Sequence, residues 1–160
     1  MSSLQIEYDN IFNAFLGNVT DYKMASLSES DADQLMVEYL HKVLAETNIK
    51  RLFSTSKLDD NIHMLTIELK HVGSDETSED EMEFIVGLLS KGMVVEWIAP
   101  QLNKSSLLAQ MISNNKDAKF FSQSNHITAL RAIYDSAQAD IRREISDRGY
   151  ILNEYLETST

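Results

Sequence analysis

The sequence has no cysteine, one proline and only five glycines in 160 residues. The absence of cysteine excludes disulfide scaffolds, cysteine-ligated zinc, iron–sulfur clusters and thiol catalysis. Proline and glycine mark turns, and an all-β chain needs many turns. Their scarcity therefore favours a chain built mostly from helices.

Positive charge is scarce as well. The chain carries 14 Lys and Arg against 25 Asp and Glu, a formal net charge of −11. It lacks the basic surface that nucleic-acid-binding proteins use, and anionic membrane surfaces repel it. Residues 1–100 hold 18 acidic and 7 basic side chains, whereas residues 101–160 hold 7 of each. The sequence thus predicts one strongly negative part and one neutral part.

Long hydrophobic runs are absent too. No apolar run approaches the roughly 18 residues of a membrane-spanning helix. Glu7 and Asp9 interrupt the N-terminal region where a signal peptide would be apolar. A length of 160 residues is typical of one domain, so we expect residues 1–160 to form a single domain, synthesised in a cytoplasm.

Apolar residues recur three to four positions apart along most of the chain, which predicts amphipathic helices. We expect Pro100 to end the third helix and Gly149 to cap the last. The expected fold is mainly α, a bundle of four to five helices with one short extended or β segment near residues 63–70. The predicted helices cover residues 4–16, 28–47, 79–99, 105–112 and 124–148.

The extended segment is predicted from a change of period. Leu65, Ile67 and Leu69 alternate with polar residues, which is typical of a strand. We expect residues 48–62 before it to be irregular. A lone strand needs a hairpin partner or a neighbouring subunit, so this segment is a hint of assembly.

The most acidic stretch, Gly73 to Glu83, was tested as a calcium loop. An EF-hand numbered from Asp75 requires glycine at its sixth position and glutamate at its twelfth. The sequence has Asp80 and Val86 there. Ser78 and Glu81 have capping-box spacing, so we expect an acidic loop over about residues 71–80 followed by a helix N-terminus.

Catalytic signatures are missing. The sequence has no Gly-rich phosphate loop, no nucleophile elbow and no H-E-x-x-H. We therefore expect no enzyme, no cofactor and no metal. Glu96 lies within the apolar run Met93–Ile98. An alternative, a carboxylate-based enzyme, would have a deep pocket that holds Glu96 together with another carboxylate or a histidine. In the same helix we expect Trp97 in the core, and Gly87 and Gly92 at close backbone packing.

Several aromatic, apolar and cationic side chains are candidates for a partner interface. Aromatic residues dominate interface hot spots, and the apolar tail over residues 150–160 is expected to dock on a neighbour. The arginines have two interpretations, because they also complement the negative end of the last helix. The candidates are Phe120, Phe121, Arg142, Arg143, Arg148, Tyr150, Ile151, Tyr155 and Leu156.

The chain resembles the small neck, or head–tail connector, proteins of tailed bacteriophages that infect Gram-positive bacteria. The resemblance covers most of the chain and is weakest over residues 48–80. It rests on packing and loop patterns rather than on a catalytic signature. The segments that carry it are Tyr8–Phe12, Val19–Tyr22, Leu27–Ser28, Met93–Asn103, Lys116–His126 and Leu130–Arg131.

The resemblance implies a virion structural role at the head–tail junction. Copies of the chain, about twelve, would form a ring of heterologous contacts. The ring would join the portal protein to the tail or other neck proteins, and duplex DNA would pass through it without specific binding. An acidic lining suits such a channel because like charges repel the duplex. The alternative is an acidic intracellular inhibitor that mimics DNA, which needs acidic residues spaced like phosphates.

Overall fold

The computed structural model describes residues 3–19, 26–73, 75–112 and 119–151, with the side chains of residues 105–124 and 149–151 outside that description. The described part is mainly helical and carries a small antiparallel sheet. In chain order the elements are β1 (Leu4–Glu7), α1 (Tyr8–Gly17), α2 (Glu29–Ala45), α3 (Thr47–Lys50), β2 (Phe53–Asp59), β3 (Met64–Leu69), α4 (Ser78–Ile112) and α5 (Lys119–Ile151).

The sheet has three strands in the order β1-β3-β2, with both neighbours antiparallel to β3. The predicted strand at β3 is confirmed. Its partners come from the same chain, so the strand gives no reason to invoke a neighbouring subunit. The expectation of an irregular segment over residues 48–62 is wrong, because Phe53–Asp59 pairs with β3. Most of β2 is exposed, so its sequence lacks the alternation that marks a half-buried strand.

The first predicted helix is wrong at its N-terminal end. Residues 4–7 form β1, where Leu4 and Ile6 are buried and Gln5 and Glu7 are exposed. Four residues are too few to separate a period of two from a period of 3.6. The helix begins at Tyr8 and ends at Gly17, as the Gly17-Asn18 stop predicts.

Helix α2 begins where the sequence predicts. Ser28 is its N-cap, and the Ser28 side chain accepts a hydrogen bond of 3.2 Å from the backbone N–H of Asp31. At α4 the predicted cap is one residue late: Thr77 and Asp80 form the reciprocal pair, with bonds of 2.9 Å from Thr77 N to Asp80 and 3.2 Å from Asp80 N to Thr77. The Thr77 hydroxyl also donates to the Asp80 carboxylate at 2.7 Å, and this bond, followed by the bond from the Thr77 N–H, lowers the pKa of Asp80.

Two predicted helix ends are wrong. Helix α4 continues through Pro100 to Ile112, so the separate helix expected at residues 105–112 is its last part. Helix α5 continues past Gly149 to Ile151 and begins at Lys119, five residues before the predicted start at residue 124. Packing along a neighbouring helix supplies stability that local propensity does not.

Helices α4 and α5 run antiparallel, because Phe84 near the start of α4 contacts Arg148 near the end of α5, and Lys91 later in α4 pairs with Glu144 earlier in α5. The core lies between these helices, α1, α2 and the inner face of the sheet.

Trp97 is buried, as expected. A Cβ on Gly92 would lie 2.6 Å from Val43 Cγ1, so packing there is close, but against a side chain and not against the expected backbone. At Gly87 the expectation is wrong, because a Cβ there meets nothing within 4 Å.

Candidate functional site

The turn between β2 and β3 is attached to two helices by five side chains, which we name the hairpin clasp: Tyr8, Asp33, His41, Asp60 and His63. The Tyr8 hydroxyl donates a 2.7 Å hydrogen bond to Asp60. His41 Nε2 lies 3.0 Å from each Asp60 carboxylate oxygen. His63 Nε2 lies 3.5 Å from Asp33 Oδ2. Each element, α2 and the turn, thus supplies one histidine and one aspartate.

The clasp also constrains the backbone of the turn. The Tyr8 N–H donates to the His63 carbonyl at 2.9 Å, and the two rings stack with centroids 5.3 Å apart. His63 has φ of 50°, a left-handed conformation that costs free energy for a residue with a Cβ. The contacts to Tyr8 and Asp33 offset this cost, so the turn is held in one conformation.

The electrostatics of the clasp follow from its hydrogen bonds. The bond from Tyr8, followed by the bond from His41, holds the pKa of Asp60 below its usual range. Burial, together with the Asp60 carboxylate, raises the pKa of Tyr8. At neutral pH the arrangement is therefore a neutral phenol that donates to a carboxylate.

A second feature is an open cleft of about 140 Å³ between α2, α4 and α5, which we name the Glu96 cleft. Burial raises the pKa of Glu96 above its usual value. The charge of Lys42 opposes this shift, and the charge of Glu46 adds to it. Its lining combines apolar side chains with carboxylate, amide and guanidinium groups: Val43, Glu46, Asn48, Ile49, Gly92, Val95, Glu96, Gln138, Ile141 and Arg142.

On the other side of α5 lies a wider groove of about 420 Å³ against α4 and the end of α1. Val94 and Ala137 line it, and Ile133 on its wall is 46% exposed. The Lys91–Glu144 and Arg143–Asp140 pairs lie near it and compensate one another in charge. The groove thus offers apolar surface without a concentration of one charge.

Arg148 is the most engaged of the predicted interface residues. Its guanidinium lies 2.7 Å from Glu76 Oε2, donates to the His71 carbonyl at 3.3 Å and sits 4.3 Å from the centre of the Phe84 ring. The side chain is 10% exposed, and its Nε is buried without a hydrogen-bond partner within the described residues. Arg148 therefore joins the end of α5 to the loop between β3 and α4.

The other interface candidates lie apart from one another. Arg142 and Arg143 are exposed on α5, where Arg143 pairs with Asp140 at 2.9 Å. Phe120 and Phe121 belong to the first turn of α5, and Tyr150 and Ile151 to the last, with side chains outside the description. Tyr155 and Leu156 lie outside the described residues. A partner role for this set stays a prediction.

The hairpin clasp was missed at the sequence level. Its groups come from α1, α2 and the β2–β3 turn, so no spacing along the chain links them. The four histidines form no metal-binding motif in the sequence. A histidine beside two aspartates near a predicted strand was the available signal, and it is a weak one.

The described residues offer neither a metal-binding cluster nor a membrane-spanning helix. No group of three or more His, Cys, Asp or Glu side chains within those ranges has the geometry to hold a metal ion. Among the helices that the structure describes, none combines the length and apolar character that crossing a membrane requires. Comparison with protein-family models, curated proteins and solved structures found no match to this chain.

Proposed function

We propose that this protein is a structural component of a bacteriophage neck, a ring that joins the portal of the DNA-filled head to the tail. The observation that carries the proposal is that the resembling segments Met93–Asn103 and Leu130–Arg131 lie on two helices that pack side by side, the antiparallel pair α4 and α5. At 1.5 Å per residue these helices are each about 50 Å long. Such a rod presents long side faces that repeated copies can share.

The uneven distribution of charge along the chain also supports the proposal. Residues 1–100, with all of the net negative charge, form the sheet, α1, α2 and the first part of α4, while α5 belongs to the neutral part. A ring whose acidic part faces the channel repels the DNA backbone and leaves the duplex free to pass. The neutral helix is then available for contacts with copies and neighbours.

The ring needs two different surfaces on each copy. A heterologous contact closes into a ring when the rotation between copies divides a full turn. The hairpin clasp and the clefts beside α5 have different side chains and are candidates for these two surfaces. Portal and tail proteins would contact the ends of the ring.

Quantitative mass spectrometry of purified phage particles tests the proposal. We expect the protein in the particles at a copy number near that of the portal, and its gene beside the head genes. Particles purified free of host protein that contain none of it would remove the proposed function.

A further inference from the structure

The turn held by the hairpin clasp presents an isoleucine to solvent. Ile62 is 66% exposed, more than Leu16, Leu27 or Ile133, the other exposed large apolar residues of the described chain. Asp59 lies at the base of the same turn. Its carboxylate accepts the Asn61 N–H at 3.2 Å and makes no ion pair with any described residue.

The turn is prepared for binding by its rigidity. Left-handed backbone at a residue with a Cβ persists where the surroundings determine it, and such positions concentrate at functional sites. Here the surroundings are the Tyr8 and Asp33 contacts to His63. A side chain on an ordered turn loses little conformational freedom when it binds.

The Glu96 cleft has a size and an apolar lining that suit the Ile62 side chain. Its volume of about 140 Å³ is several times the roughly 30 Å³ of one water molecule, enough for the four carbons of an isoleucine side chain. Its apolar surface comes from Val43, Ile49, Val95 and Ile141. Arg142 lines the cleft, is exposed, and makes no ion pair within the described residues. Its guanidinium donates a hydrogen bond of 3.4 Å to the side-chain oxygen of Gln138.

The turn and the cleft lie on opposite sides of α2. Asp33 and His41 contact the turn, whereas Val43 and Glu46 line the cleft. At 3.6 residues per helical turn these two pairs point in nearly opposite directions. A copy therefore cannot fill its own cleft, and a contact between the two surfaces is heterologous.

We propose that the turn of one copy docks in the Glu96 cleft of the next, with Ile62 on the apolar lining and Asp59 beside Arg142. The inference rests on the proposed ring, since this is the lateral contact that a ring requires. Glu46 and Glu96 repel an incoming carboxylate, so Asp59 must approach from the α5 side, where Arg142 lies. Asp59 and Arg142, neither of which makes an ion pair within the described residues, supply the opposite-charge pair of this contact.

Charge reversal tests the contact. Sedimentation velocity over a concentration series would compare the wild type, Asp59→Arg, Arg142→Glu and the double variant. We expect each single reversal to weaken self-association at least about tenfold and the double variant to recover most of it, because it restores an opposite-charge pair. Ile62→Ser should weaken association as well. Circular dichroism checks that each variant folds, and Arg143→Glu is the matched control because Arg143 points away from the cleft lining.

Cross-linking tests the orientation, because the chain has no native cysteine. Asn61→Cys mixed with Gln138→Cys should give a disulfide-linked heterodimer under mild oxidation, since a disulfide needs Cα atoms within about 7 Å. Ser56→Cys, exposed on β2, should not link to Gln138→Cys.

Three results would overturn the contact: a wild type that stays monomeric to about 1 mM, single reversals that associate like the wild type, or a double variant that does not recover. Each is distinguishable from failure of the proposed function, which is measured in particles. Rings that persist in Arg142→Glu would remove this contact and leave the neck assignment standing.

Discussion

Two glycines of α4 look alike in the sequence and differ in their surroundings. Both were expected at close packing, because a helix-interior glycine costs up to about 1 kcal/mol against alanine. Only Gly92 faces a neighbour, with a hypothetical Cβ 2.6 Å from Val43 Cγ1; Gly87 has open space. The sequence shows that both glycines lie in a helix. Which of them faces a neighbouring helix depends on tertiary packing, which no local pattern records.

We expect Gly92→Ala to lower the free energy of unfolding by about 1–2 kcal/mol. Overpacking costs about 1–3 kcal/mol, and the gain in helix propensity offsets part of it. Val43 is buried and β-branched, so it cannot rotate away easily. Urea unfolding measures the change, and Gly87→Ala is the control, expected to stabilise by up to about 1 kcal/mol. Equal effects at both positions would contradict the packing at Gly92.

The hairpin clasp predicts a loss of stability in acid. A carboxyl whose folded-state pKa is depressed stabilises the fold above its ordinary pKa, about 3.9 for Asp, and this stability is lost as pH falls through the folded-state pKa. Asp60 is such a group. We expect unfolding free energy to decline below about pH 4, and less steeply in Asp60→Asn. Identical slopes in denaturant titrations would show that the clasp does not contribute.

The same clasp predicts the opposite sign in alkali. The folded-state pKa of Tyr8 is raised, so its contribution is present below the ordinary tyrosine pKa of about 10 and is lost as pH rises above it. Tyr8→Phe keeps the buried ring and removes the ionisable hydroxyl. Its stability should change less than that of the wild type between pH 9 and 11, as followed by chemical denaturation. A parallel decline in both proteins would contradict the Tyr8–Asp60 bond.

At the scale of elements, long periodic segments were predictable and short or interrupted ones were not. The bodies of α2, α4 and α5 follow from their apolar periodicity. Strand β2 did not, because it is mostly exposed and its side chains do not alternate. The continuation of α4 through Pro100 also lay beyond the sequence, since proline is a strong local stop and the packing against α5 that outweighs it is not local.

Pro100 should therefore be a destabilised point within α4. It supplies no backbone N–H for the Glu96 carbonyl, and its ring crowds that carbonyl. We expect Pro100→Ala to stabilise the protein by about 1–3 kcal/mol in thermal or urea unfolding. A loss of stability would mean that the geometry proline imposes is required for α4 to pack, and the position would then be structural.

Arg148 joins two elements, so its replacement should loosen the end of α5. We expect Arg148→Ala to cost about 2 kcal/mol, because it removes the charged bonds to Glu76 and leaves that carboxylate only the hydrogen bond from the Gly73 N–H. Arg148→Lys should recover little, since lysine cannot form the fork to Glu76 and the stacking on Phe84 together. Hydrogen exchange at the end of α5 locates the effect. Arg143→Ala, at an exposed pair, should cost under about 1 kcal/mol.

At the scale of the whole molecule, composition predicted the helical class, and the uneven charge predicted a negative part and a neutral part. The candidate surfaces were harder to predict from the sequence. Glu96 was singled out because a carboxylate in an apolar run is unusual, and it lines a cleft. The turn with Ile62 and Asp59 was not singled out, because its exposure depends on contacts from α1 and α2 that no local pattern records.

The central claim is that copies of this chain form a ring at the head–tail junction, and electron cryo-microscopy of intact phage particles tests it most directly. The account predicts a ring of density beneath the portal into which the paired helices α4 and α5 fit, with the acidic part of each copy toward the channel. A junction at which every density is accounted for by other proteins would contradict it.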